Sequence, residues 1–177
     1  MLTKSMNDTI KPSVVEVDVQ FAVNESSNLP TTDQIESWVF AACSACAGLL
    51  NNGKGSVEVS VRLVNQVEMS DLNQRFRNKS GSTNVLSFSS ELNQDVLDSL
   101  AVRPLGDIVV CHDTVQREAV EQAKPIYDHY AHMLVHGVLH LLGFDHQQAQ
   151  EADLMEATET SVLQSLGVPN PYQDTLH

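Results

Sequence analysis

The sequence predicts an α+β fold: a single domain with a small mixed β-sheet covered by helices. Three observations predict it. Two segments, 15–21 and 57–63, alternate apolar and polar residues, as a strand with one buried face must. Other segments carry apolar residues at the helical spacing of three and four. The two kinds of segment follow one another irregularly, with no repeat, linker or low-complexity tract, which favours α+β over a strictly alternating α/β arrangement. A length of 177 residues suits one domain of about 150 residues.

Residues 1–12 are polar and read as a flexible N-terminal tail. The domain is expected to span 13–172, leaving 173–177 as a C-terminal tail. Val15, Val17, Val19 and Phe21 define the first strand. Asp33 with Glu36 has the spacing of a capping box, and Ile35, Trp38, Val39, Ala42 and Cys46 form the stripe of the helix it opens, ended by Asn51, Asn52 and Gly53. Val57, Val59, Val61 and Leu63 make the second strand. Asn65 with Glu68 is a second capping box, ahead of a helix carrying Met69, Leu72 and Phe76. A polar loop over 78–83 leads to a short strand at 84–88, and the acidic, poorly patterned stretch 89–104 reads as a loop. Ile108 to Cys111 is an apolar run of buried-strand type, after which Asp113 is placed to cap a helix reaching Lys124. Pro125 breaks that helix and can start the next, over 126–142, which Gly143 stops. Residues 151–166 form a last amphipathic helix, closed by Gly167 and Pro169.

Composition narrows the function classes. The formal net charge is −13, which argues against a basic nucleic-acid-binding domain of ordinary type. Apolar residues make up 42% and charged residues 19%, excluding a disordered or fibrous chain. No run approaches the ~20 apolar residues that span a bilayer, and no signal-type segment opens the chain, so a cytoplasmic location is expected. Three cysteines fit a reducing compartment. Cys43 and Cys46 form a C-x-x-C in mid-helix among alanines, where small core residues are the better reading than a redox pair. Met155 reads as packing.

Six of the seven histidines lie between His112 and His146. His136 and His140 are four apart on a predicted helix, so their imidazoles leave the same face one turn apart. Gly143 permits a sharp turn that can return His146 as a third ligand. Three imidazoles suit one Zn²⁺ ion and leave a fourth coordination position open, as in catalytic sites. His129 and His132 share the stripe and read as structural or supporting groups. The spacing is that of the metzincin zinc proteases, but the residue after the first histidine, where those enzymes carry a general-base glutamate, is Gly137. General-base catalysis is worth about 10²–10⁴ in rate, so peptide hydrolysis of ordinary mechanism is disfavoured. Asp145 more plausibly caps or orients a ligand. A phosphodiester asks for a Lewis acid and for cations facing the developing charge. Arg75, Arg77 and Lys79 form the one dense basic cluster. On composition a solvated helix end is the better reading of it, since cations favour a helix C-terminus.

The segment from Ala131 to His146, AHMLVHGVLHLLGFDH, closely resembles the signature of the bacterial YbeY family of endoribonucleases. Leu72–Lys79, Thr83–Phe88, Leu105–Cys111 and the ending Leu166–Tyr172 resemble further blocks of that family in the same order. Membership would imply a metal-dependent, single-strand-specific endoribonuclease that matures the 3′ end of 16S rRNA and acts in late-stage 70S ribosome quality control. It would carry the metal-ligand role to His136, His140 and His146 and a catalytic role to Arg77, with RNA-binding roles for Arg75 and Lys79. Phe144 stands where the family often has tyrosine. The implied partners are single-stranded RNA, the 16S rRNA precursor, the small subunit with its ribosomal proteins, and a ribosome-associated GTPase. The segment 125–177 has no Lys or Arg and could present an acidic face to basic ribosomal proteins. A zinc hydrolase of another substrate and an assembly factor with a mainly structural metal are the alternative readings.

Overall fold

The alternation at both valine-rich segments produces β1 (Val15–Ala22) and β2 (Ser56–Val64), which pair in parallel over their length in a computed structural model. The structure describes residues 14–26, 28–50 and 55–173; the expected tail at 1–12 and the helix stop at Asn51, Asn52 and Gly53 lie outside them. Between these strands runs α1 (Thr32–Ala45), continued by a 3₁₀ turn at Ala47–Leu49. Its capping box is Thr31 with Gln34, not Asp33 with Glu36: the Thr31 side chain accepts from the Gln34 N–H and the Gln34 side chain accepts from the Thr31 N–H. The box sits two residues upstream because the hydroxyl after Pro30 is already in extended backbone.

After β2 come α2 (Gln66–Arg77), β3 (Val85–Ser89), α3 (Gln94–Ser99) and β4 (Val102–Cys111). Asn65 caps α2 through the Glu68 N–H, but the Glu68 carboxylate does not complete a box and instead pairs with Arg62 at 2.8 Å. The loop expected at 89–104 holds a helix and the start of a strand. Asn93 accepts from the Val96 N–H at 3.0 Å and so nucleates α3. Strand β4 begins at Val102, six residues before the expected apolar run. Pro104 and Gly106 hid the strand pattern there; β4 passes them beside a register shift opposite Glu58 and Val59. Such irregularities admit residues that a regular strand rejects.

The strand order is β1-β2-β4-β3, with β4 parallel to β2 and β3 antiparallel at the edge. A mixed sheet results from this inserted edge strand. The remaining helices are α4 (His112–Glu121), α5 (Ile126–Leu141) and α6 (Ala149–Ser165). Asp113 caps a different helix from the expected one: its carboxylate accepts the Gln66 N–H, an orphan donor of α2's first turn, at 2.8 Å. Helix α4 stops short of Lys124 because Ala123 takes up a left-handed conformation.

Val57, Val59, Val61, Leu63, Ile108 and Val110 of the sheet pack with α1, α5 and α6 into the main core. Each fully buried Val or Leu contributes ~1.5–3 kcal/mol. Tyr130, Ala131, Leu134, Val135, Val138 and Leu139 of α5 are wholly buried, so this helix is the centre of the molecule and apolar almost all round. Its half-buried stripe is His132, His136 and His140. A smaller cluster of Val64, Met69, Leu86, Val109 and Cys111 lies under α2 on the other sheet face. Cys43, Cys46 and Met155 are buried in the main core, as packing residues.

Candidate metal centre

The end of α5 delivers the third histidine. Leu142 ends the helix, and Gly143 follows with φ +96°, which glycine adopts without a steric cost. The Gly143 N–H donates to the His140 carbonyl and the Phe144 N–H to that of Leu139, both at 3.0 Å. This Schellman pattern satisfies carbonyls of the last turn and reverses the chain. His146 then lies with its ring centre 5.1 Å from that of His140 and 5.8 Å from that of His136. Asp145 braces the turn by accepting the His146 N–H at 2.7 Å. One nitrogen from each of the three rings falls within 4.8 Å of the others, so the group could hold a metal ion.

Hydrogen bonding sets the tautomers. His140 Nδ1 lies 3.0 Å from the Phe144 carbonyl, which can only accept, so Nδ1 carries the proton and the neutral ring has a bare Nε2. His136 Nδ1 donates to Glu159 Oε1 at 2.5 Å, leaving its own Nε2 bare in the same way. These two Nε2 atoms stand 3.0 Å apart. Two lone pairs at that distance repel unless a cation lies between them. Burial, helped by the neighbouring His136 and His146, pushes the His140 pKa down, so protonation of that ring is a poor remedy. Three imidazoles with nitrogens this close together fit a borderline-soft divalent ion.

Glu159, on α6, is the functional group the sequence reading missed. It is fully buried. Burial works to raise its pKa, but hydrogen bonds from His132, His136 and Tyr172 outweigh that and hold it at about 2. Its signal was present: an acid on the stripe of Met155, Val162 and Leu163, where α6 is buried. His132 lies 3.1 Å from Glu159 Oε2. His129 instead bonds Glu118 at 2.6 Å and joins α5 to α4.

The three histidines open on a cleft of about 770 Å³, also lined by Asn73, Arg77, Lys79 and Ser87. Arg77 ends α2 and donates to the Ser87 carbonyl on β3 at 3.1 Å, with its guanidinium 6.0 Å from the centre of the Phe88 ring. Asn78 adopts a left-handed conformation that turns the chain, and its side chain accepts from Gln74. The buried Asn73 holds the following loop by donating to the Gly81 carbonyl at 2.9 Å. Arg75 does not line the cleft. It points to solvent, pairs with Asp71 at 3.4 Å and sits over Phe76.

Two features weigh against peptide hydrolysis here. A Cβ at Gly137 would lie 3.0 Å from Ile108 Cγ2 and 3.1 Å from Ser87 Oγ, so α5 packs on β3 and β4 too closely to admit a glutamate. The Ser87 carbonyl on the edge strand is already taken by Arg77, which removes an acceptor that an added peptide strand would need.

The profile of the family described as "Endoribonuclease YbeY" matches residues 20–167. "Endoribonuclease YbeY" of Nitrosococcus oceani is 46% identical over 159 residues, covering 90% of this chain and 97% of the relative. That of Halorhodospira halophila is 43% identical, covering 90% and 98%. A solution structure from Thermotoga maritima shares the fold with a TM-score of 0.53 and 22% identity, covering 91% of this chain and 99% of the other. With most of its length matched by the family profile and by both relatives, this chain belongs to the YbeY family.

Proposed function

We propose that this chain is a zinc-dependent, single-strand-specific endoribonuclease that matures the 3′ end of 16S rRNA and acts in late-stage 70S ribosome quality control. The observation that carries the reading is the convergence of three imidazoles with Arg77 and Lys79 on one polar cleft, in a family whose relatives are named endoribonucleases. His136, His140 and His146 would hold one Zn²⁺. Bound there, zinc supplies Lewis acidity toward a phosphoryl oxygen and makes a coordinated water far more acidic.

The protein's own groups do the rest. One Arg77 N–H is spent on Ser87, which fixes the guanidinium while its remaining donors face the scissile phosphate. Its planar fork matches the non-bridging oxygens as their charge grows in the transition state. Lys79 holds the flanking backbone phosphate as a point charge, and Arg75 is left to a more distant RNA contact. The nucleophile is either water or the ribose 2′-hydroxyl; a 2′,3′-cyclic phosphate product would identify the latter.

The working unit is residues 13–172, in the cytoplasm. The acidic exposed face of α6, with Glu151, Asp153 and Glu156, suits docking on basic ribosomal proteins of the small subunit, with a ribosome-associated GTPase as a further partner. No helix among the described residues is long and apolar enough to cross a membrane.

The test is cleavage of a single-stranded RNA bearing the 16S 3′-end sequence by metal-quantified wild type, His140→Ala and Arg77→Ala. Loss of cleavage in both variants, with zinc retained only in Arg77→Ala, is the expected result. Equal cleavage by all three would trace the activity to a contaminant and favour a metal-binding assembly factor.

A further inference from the structure

The metal histidines do not stand alone on α5. Glu159 lies on α6, with no exposed surface and no part in the cleft lining, so it cannot touch a substrate bound there. A buried carboxylate is tolerated only when its oxygens are satisfied, and this one is satisfied from three directions. Oε1 accepts His136 Nδ1–H at 2.5 Å. Oε2 accepts from His132 Nε2 at 3.1 Å and from the Tyr172 hydroxyl.

The donors are themselves held. His132 Nδ1 is buried without a partner, so the proton of this ring belongs on Nε2, facing Glu159. Tyr172 comes from the segment after α6. Asn170 fixes that segment by accepting the Tyr172 N–H at 2.9 Å and the Thr160 hydroxyl of α6 at 3.3 Å. The Tyr172 ring then packs edge-on against His132, 5.6 Å between centres.

We propose that Glu159 is the positioning residue of the metal centre: it keeps the His136 proton on Nδ1 and so points the Nε2 lone pair at the metal, with His132 and Tyr172 holding its carboxylate in place. The segment from Gly167 to Tyr172 thereby belongs to the metal site although it supplies no ligand. A carboxylate that accepts from the far nitrogen of a ligating imidazole fixes its orientation and raises its basicity, and losing such a partner weakens metal binding about 10–100-fold.

This inference rests on the three histidines binding zinc, and the experiment separates the two. Zinc affinity is measured by competition with a chromophoric chelator for wild type, Glu159→Gln and Tyr172→Phe, alongside circular dichroism of the metal-free proteins. The expected result is native spectra throughout, binding about 10–100-fold weaker in Glu159→Gln, and a smaller loss in Tyr172→Phe. Long-range ¹H–¹⁵N correlation on metal-free wild type reads the tautomer directly, and His136 protonated at Nδ1 is expected there even should Glu159→Gln fail to fold. A wild type that takes up no zinc overturns the metal reading and this inference with it. A wild type that binds zinc, with Glu159→Gln binding as tightly or with His136 protonated at Nε2, overturns this inference alone.

Discussion

Gly137→Ala puts the packing around the histidines to a quantitative test. In a helix interior alanine is favoured over glycine by about 1 kcal/mol, so propensity alone would stabilise the variant. Against this, the new Cβ would lie 3.0 and 3.2 Å from Ile108 Cγ2 and Cδ1 and 3.1 Å from Ser87 Oγ. Ile108 is fully buried and branched at Cβ, so its methyl groups have nowhere to rotate. Ser87 Oγ is donating to the Gly137 carbonyl at 3.3 Å. Helix α5 must therefore lift off the sheet by a few tenths of an ångström, and overpacking of this kind costs ~1–3 kcal/mol. The difference leaves a net loss of ~0–2 kcal/mol, and each kcal/mol lowers the melting temperature of a chain this size by about 2–4 °C. Thermal unfolding of the metal-free protein reads this, with Gly48→Ala as control, since nothing lies within 4 Å of a Cβ there. The same lift moves His136 and His140 together, so zinc affinity should fall as well. A Gly137→Ala protein that melts at or above wild type and binds zinc unchanged would refute the close-packing argument. It would also remove the structural reason for the missing glutamate.

Two further predictions concern buried groups away from the cleft. Burial lowers the His112 pKa against a smaller opposing pull from Asp113, and Nδ1 bonds the Tyr130 hydroxyl at 2.6 Å. A folded-state pKa below the unfolded value of about 6.5 means that His112 contributes its stability in full above that pH and loses it as pH falls through the folded value. The cost of His112→Asn, ~1–3 kcal/mol at pH 8, should therefore shrink at pH 5 in urea unfolding of the metal-free proteins; a cost that grows on acidification contradicts this. Burial, with Cys46 nearby, pushes the Cys43 thiol up to about 12, and burial raises Cys46. Neither should react with a thiol reagent at pH 8 until the chain is unfolded, and rapid labelling of either in the native protein would contradict the core reading.

The sequence was most legible where one residue's role decides the local structure. Alternating valines located β1 and β2 because the strand period is strict, and the histidine spacing with Gly143 located the three-histidine group that could hold a metal because both depend on local helix geometry. It was least legible where a distant element decides. Residues 102–105 become strand because β2 lies alongside them, although Pro104 argues locally against it. Asp113 resembles the cap of its own helix, yet bonds an N–H of α2 from 47 residues away. Glu159 could be suspected as an acid on a buried stripe, but only the packing of α6 against α5 brings it to His136. Arg75 and Arg77 look alike in the sequence; their two-residue separation on α2 sends one to solvent and the other to β3.

The same separation resolves the conflict between a net charge of −13 and an anionic substrate. Screening removes most interaction between exposed charges beyond about 8 Å at physiological salt, so the carboxylates spread over the helices and the outer sheet face oppose RNA weakly at any one point. Within the cleft the balance is different. Among the described residues lining it, Asp145 is the one acid, and its carboxylate is engaged by the His146 N–H. Facing it are Arg77, Lys79 and the position at which a divalent ion would sit. On the proposed function, an ion held there makes the local field positive over a few ångströms, while the net charge of the whole molecule repels polyanions. On that same function, such a protein would bind RNA poorly along its surface and productively only where a single phosphate reaches the histidines, which favours a strand presented by another assembly over RNA captured from solution. Raising salt should therefore weaken substrate binding less steeply than it does for a basic RNA-binding domain, because few phosphates are neutralised at once.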